Sequence, residues 1–531
     1  MNHISAVAVR PSIQSGGAQG RILARSSNDA GDATNKQSTA ALSRRKRSGN
    51  QNQRRGVSHV RPSNEGLQAF RYFHTDGASR MGGSFDYDLW TVNLLQSAKT
   101  YPAVWHACTA LSALHQKSTI CSPNTDIVSM RVFGKRLDDF ALEQYNVSLR
   151  YLIHMACQTH LSSVDKEIFL TVNVLLAFMC GARNSHVEAW THVDNGLRLF
   201  FQWRIWDRKG PYGSHQPAAL MPVDSMIAML CRLDSQTMNM RSTPWPGESW
   251  MGVLQTQALS SRPFESLAEA YYAFEIIWNG FFGLNAVETF NTYRTPTLHV
   301  QHPTPDAWHI YRRAFDNWKL RFEALETQIQ ASFCDGGEHV RAVRILKARK
   351  LLVDVVLGIN FTDRELRWDT FQKECKIIVE ISAGLLEPTV RSKRLGTWQG
   401  PETHTFSFGP SLCEPLFAVA RGCRVPGIRQ KAIELLKQCP MVEGVAHVHF
   451  MAMLAEAIMH FEHGVAWGET KRGDRQRDCE CVRDEYICGN HRVCEERIVP
   501  PEREGELPTV YVLTEWDKRY SEDWQKLPMD F

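Results

Sequence analysis

Along the middle of this 531-residue chain, apolar side chains return every three to four positions, and that period commits the chain to helices. Val104, Cys108, Leu111 and Leu114 or His115 form one stripe, with Pro102 where a first helical turn tolerates a missing N–H. Leu142, Tyr145, Leu149 and Leu152 form a second, and Trp190, Val193, Leu197 and Phe200 a third, each with polar residues opposite. Ile428, Ala432, Leu435 and Leu436 make a fourth, from which Arg429, Lys431 and Lys437 are expected to face away. Strand-like alternation is scarce and short, and no fixed internal period marks a repeat array. The expectation is an all-α fold, a large antiparallel helical array with connections marked by Gly and Pro.

With 43% hydrophobic and 22% charged residues, a chain of this length can bury a substantial core. The expected division is a disordered basic tail over residues 1–62, a helical domain over 63–464 and an irregular, cysteine-containing extension over 465–531. The longest apolar run, around residues 169–182, is interrupted by Thr171 and Asn173 and is too short to cross a bilayer, so no membrane segment is expected. The N-terminus lacks the apolar stretch of a secretory signal, which makes the fourteen cysteines reduced thiols rather than a disulfide framework.

Charge is concentrated at the front. Residues 1–62 hold eleven Lys or Arg against Asp29 and Asp32, a balance of +9 in a chain of net +4, so the remainder carries −5. Few large apolar residues are present there to offset the entropy of ordering. Arg44, Arg45, Lys46 and Arg47, followed by Arg54 and Arg55, make a compact basic cluster suited to a nuclear import receptor or a phosphate backbone. The same residues also read as a merely solvated tail. A mitochondrial presequence is a third reading, weakened by Pro11 and by Gly16-Gly17.

Motifs that carry chemistry are few. No Gly-rich phosphate loop, zincin helix or nucleophile elbow occurs, so no catalytic or cofactor-binding residue is assigned and the chain is not expected to be an enzyme. Cys479, Cys481, Cys488, His491 and Cys494 supply enough donors for tetrahedral zinc, but the Cys-x-Cys opening departs from common spacings. An unstructured insertion with surface thiols is the expectation there, and no metal ligand is assigned. His447, His449, His460 and His463, with Glu456 and Glu462, share too few helix faces to define a site and are read as surface or satisfied residues. Asp234, in an otherwise apolar helix, calls for a cationic partner, with Arg232 or an arginine from a neighbouring helix as the candidate.

One ordered set of motifs resembles a known family. Residues 406–444 contain Pro415-Leu416, Cys423-Arg424, Arg429, the run from Ala432 to Leu436, Pro440 and Glu443-Gly444. Upstream come Gly82, Phe85-Asp86, Leu89-Trp90, Pro102-Ala103-Val104, His106-Ala107 and the run from Leu111 to His115. Gln144-Tyr145-Asn146, Trp190, His192, the run from Gly196 to Leu199 and that from Arg232 to Gln236 follow. In this order, over roughly residues 65–464, they resemble the fungal-specific transcription factor domain of binuclear zinc-cluster regulators. Met441 and Val442 stand where that family usually has two arginines.

The resemblance implies a regulator of RNA polymerase II transcription acting in the nucleus, with transcription-associated proteins as partners and a small-molecule effector. In that context Cys423 looks structural rather than reactive. The family's DNA reader needs six closely spaced thiolates, whereas the first cysteine here is Cys108. The expectation is therefore a shortened form, or a regulator that reaches DNA only indirectly. A helical scaffold or adaptor outside the nucleus is the alternative.

Overall fold

The computed structural model describes residues 62–120, 127–208, 221–238, 248–257, 262–293, 305–332, 338–358, 361–387, 406–467, 479–483, 485–499, 508–520 and 523–529. The basic cluster from Arg44 to Arg55 lies outside them. Among the described residues the fold is an α-helical array. Its first elements are α1 (Asn64–Tyr72), α2 (Ala78–Gly82), α3 (Leu94–Thr100), α4 (Pro102–Ile120), α5 (Ile127–Ala156), α6 (Ser163–Ala182) and α7 (His186–Trp203). They are followed by α8 (Val223–Thr237), α9 (Glu248–Gln257), α10 (Leu267–Tyr293), α11 (Pro305–Ser332), α12 (Glu338–Gly358) and α13 (Gln372–Leu386). The last group is α14 (Cys413–Gly422), α15 (Pro426–Leu436), α16 (Val448–Trp467) and the short α17 (Glu515–Tyr520). None of these helices is long and apolar enough to cross a membrane.

Three helices form the centre. Nearly all of α4 from Ala103 to His115, α6 from Leu170 to Gly181 and α8 from Ser225 to Ser235 is buried. Such helices need neighbours on every side, and α4 packs on α5 and α6, α6 on α7, and α8 on α7 and α10. Short links hold consecutive helices antiparallel: residues 183–185 turn α6 into α7, with Asn184 at φ 60°.

The third and fourth stripes form the expected buried faces, but the second is displaced. Leu142 is 43% exposed, while Ala141, Gln144, Ser148 and Leu152 are buried. Polar groups account for the shift: the Ser148 hydroxyl donates to the Ala103 carbonyl at 2.8 Å, and Gln144 Oε1 lies 2.7 Å from His106 Nδ1. The small Ala141 and Ser148 let α5 approach α4 closely, and this partnership outweighs the pull of leucine toward the interior. Arg429 is a further correction. Expected to face solvent, it is 1% exposed, because a carboxylate awaits it inside.

Among the described residues, two small sheets complete the fold. Strand β1 (Phe406–Ser407) runs parallel to β2 (Val442–Glu443), which pairs antiparallel with β3 (Ala446–His447). This sheet threads Phe408 between Trp90 and Phe178, with the Phe178 and Phe408 rings 4.1 Å apart and nearly parallel. Its turn needs Gly444, whose φ is +64° and whose added Cβ would lie 2.3 Å from Gln236 Oε1. Gln236 clasps that turn, donating to the Glu443 carbonyl and accepting from the Val445 N–H.

The second sheet lies where an irregular extension is expected. Strands β4 (Val493–Val499), β5 (Thr509–Thr514) and β6 (Gln525–Leu527) form an antiparallel sheet in that order, with an irregularity between Val493 and Glu495. Val493, Ile498, Val510, Val512 and Leu527 join the main core. The described part of the extension is thus a packed element of the domain.

Candidate metal centre

The last sheet is fixed to the helices by a buried set of charges. Glu462 on α16 accepts from Arg424 Nη2 at 2.7 Å, from Arg429 Nη1 at 2.6 Å and from the backbone N–H of Val493 at 2.8 Å. Burial alone would raise its pKa, but Arg424 and Arg429 hold the carboxyl well below the usual range. The 3₁₀ segment Phe361–Phe371 contributes Glu365, which pairs with Arg424 Nη1 at 3.0 Å. Arg421 pairs with Glu496 of β4 and donates to the Val493 carbonyl at 3.1 Å. Arg492, just before β4, makes a two-pronged bond to Asp369 at 2.7 and 2.9 Å and reaches the Glu365 carbonyl at 2.9 Å. Each carboxylate in the set therefore faces at least one guanidinium, the condition under which buried charge is tolerated.

Directly before Arg492 the chain makes a compact turn. Val482 and Tyr486 exchange two backbone hydrogen bonds of 2.9 and 2.8 Å, bringing Cys481 back to Cys488. The Cys488 N–H then donates to Cys481 Sγ at 3.2 Å, and a single 3₁₀ turn, Gly489–His491, carries the imidazole over the thiols. From His491 Nδ1 the sulfurs of Cys481, Cys488 and Cys479 lie at 3.2, 3.4 and 3.6 Å. All four donor atoms are within 4.8 Å of one another. Tetrahedral zinc, with Zn–S of about 2.3 Å and Zn–N of about 2.0–2.1 Å, requires S···N edges of roughly 3.6 Å. The donors are therefore close to the corners such an ion needs.

This overturns the expectation of an unstructured insertion and corrects the donor set. Cys494, one of the five candidates, stands apart inside β4, where burial pushes its thiol pKa up. The hydrogen bond that Cys481 and Cys488 share draws the Cys488 thiol below its ordinary range and pushes that of Cys481 up. The Cys-x-Cys spacing obscured the site in the sequence. A usable signal was Cys-x-x-His at Cys488 and His491, which places two donors across one tight turn.

The other candidates do not assemble. His447 Nδ1 accepts the Phe450 N–H at 3.0 Å, the His463 ring packs on Trp467, Glu456 pairs with Lys437, and Glu462 belongs to the buried charges. Among the described residues, only the four donors of the C-terminal turn form a metal-competent group. Cys423 is buried and shares a hydrogen bond with Cys375, which holds its pKa below the ordinary thiol value. Asp234 accepts from the Trp250 indole at 2.7 Å and from the Asn279 amide at 3.2 Å, while the charge of Arg232 acts on Asp86 and Glu275.

Comparison with family models, with curated proteins and with solved structures finds no match for this chain.

Proposed function

We propose that this chain is a transcription-regulator-like protein, a helical regulatory and protein-interaction domain that acts in the nucleus on RNA polymerase II transcription. The reading rests on the ordered motif set of residues 65–464, and what supports it is where those motifs meet. Cys423-Arg424 and Arg429 converge with Glu462, Gln236 grips the Glu443-Gly444 turn, and Trp90 stacks on Phe408. Residues as far apart in sequence as Trp90 and Phe408 thus depend on one another, which gives a physical reason for them to occur together. Partners are other transcription-associated proteins, a small molecule is the effector, and DNA is reached indirectly or through a separate zinc-cluster module.

The first test is localisation of the fluorescently tagged full chain. Nuclear accumulation is expected, with a fall of several-fold when Arg44, Arg45, Lys46 and Arg47 are changed to alanine. Tethering the chain to a heterologous DNA-binding domain should then shift reporter transcription. Cytoplasmic signal unaffected by the four substitutions, with a silent reporter, favours the scaffold reading instead.

A further inference from the structure

We propose that Cys479, Cys481, Cys488 and His491 bind one zinc ion, and that this ion locks the C-terminal sheet onto the buried charges of the helical body. The inference is independent of the transcription reading. It starts from the donor set: three soft thiolates and one imidazole, converging from a turn of thirteen residues, match zinc in both ligand type and count. Four protein ligands leave no open position for a substrate, so the site is structural rather than catalytic.

The outer part of the turn is weakly held. Val482 is half-exposed and Cys479 and Cys481 are only partly buried, whereas at the inner end Ile487 and Cys488 are buried and the Ile487 carbonyl accepts from Arg492 Nε at 2.9 Å. That outer part, with so little apolar burial, needs another source of folding free energy, and metal ligation is the source that fits its donors. Gly489 rests against Leu366 of the 3₁₀ segment, where an added Cβ would lie 3.4 Å from the leucine side chain.

What the ion would control follows from sequence adjacency. His491 is a ligand, Arg492 bonds Asp369 and the Glu365 carbonyl, and Val493 donates to Glu462. Three consecutive residues thus connect the metal to the carboxylates that also hold Arg424 and Arg429. Fixing His491 fixes the entry angle of Arg492 and the start of β4. Loss of the ion frees the turn to pull away, leaving Glu462 without its backbone donor and Arg492 without its anchor.

The test uses the full chain purified without chelator. Elemental analysis should find one zinc per chain, reduced below a tenth in Cys481→Ser and Cys488→Ser but retained in Cys494→Ser. Because the serine variants can fail for lack of folding, cobalt is also exchanged into the wild-type protein. Tetrahedral d–d bands with strong thiolate-to-cobalt charge transfer are expected for a three-sulfur, one-nitrogen site. Chelator should speed amide exchange at least tenfold across residues 487–499 and leave α4 unchanged. Wild-type protein with neither zinc nor the cobalt signature overturns the site, as does Cys494→Ser losing the ion as fully as Cys488→Ser. Unchanged exchange after zinc removal overturns the lock.

Discussion

Glu462 shows how one residue can decide a region. Its carboxylate receives two guanidinium groups and a backbone N–H in a fully buried setting, so neither oxygen is without a donor. Removing the charge leaves Arg424 and Arg429 buried with less to balance them, and breaking such a pair typically costs about 3–5 kcal/mol. Glu462→Gln should lower stability by that order in denaturant titration; a loss under about 1 kcal/mol contradicts the account. In the sequence, Glu462 is one more acid on a helix beside two histidines. Nothing in residue spacing reveals that Arg429, thirty-three positions earlier, will fold inward to meet it. The metal donors differ in this respect, since their types were visible in the sequence. The distinction between His491 and Cys494 as the fourth donor was not, because it depends on where β4 begins.

At the scale of single elements, local signals hold well where the chain makes its own partners. Helix α6 opens with a capping box: Asp165 N–H donates to Ser162 Oγ at 3.1 Å, and Ser162 N–H donates to Asp165 Oδ2 at 2.9 Å. Ser162→Ala should cost about 0.5–2 kcal/mol, read as a lower Tm with unchanged far-UV dichroism at 20 °C, because the buried body of α6 remains helical. Local signals fail where a neighbour intervenes. The α5 stripe led by Leu142 gives way to Ala141, Gln144 and Ser148, since α4 offers a carbonyl and a histidine to bond. Strands β4 to β6 were missed for a related reason. Short strands in a polar, charged segment show little alternation, and their inward residues count only once a helical body is there to receive them.

For the whole molecule, acid should be destabilising through its buried histidines. Burial lowers the pKa of His115, His192 and His447 to about 4, so each stays neutral in the fold while the unfolded chain takes up protons below about 6.5. Stability from these groups is complete above pH 6.5 and is lost as pH falls toward 4. Asp86 and Glu414 act in the opposite sense: burial raises them to about 6 and about 7, so their folded forms hold protons that the unfolded chain releases. Burial also lowers His106 and His186 and raises Glu275 and Glu496, so five histidines stand against four carboxyls, and the expected net is a loss on acidification. Tm should fall between pH 7 and pH 5, and His192→Gln should flatten that slope; a flat or rising Tm refutes it. His192 is the informative position because Tyr145 bonds its Nε2 at 2.9 Å and Asn173 lies 3.3 Å from its Nδ1, an arrangement that suits the neutral ring. The sequence by itself determined that this chain is helical, because a 3.6-residue apolar period is a property of neighbours along the chain. It also marked the donors of the C-terminal turn by residue type. Only the tertiary structure decided which arginines are interior, that the extension is a packed sheet, and that His491 completes the donor set. Those outcomes depend on which distant groups arrive at the same place, and no local periodicity encodes that.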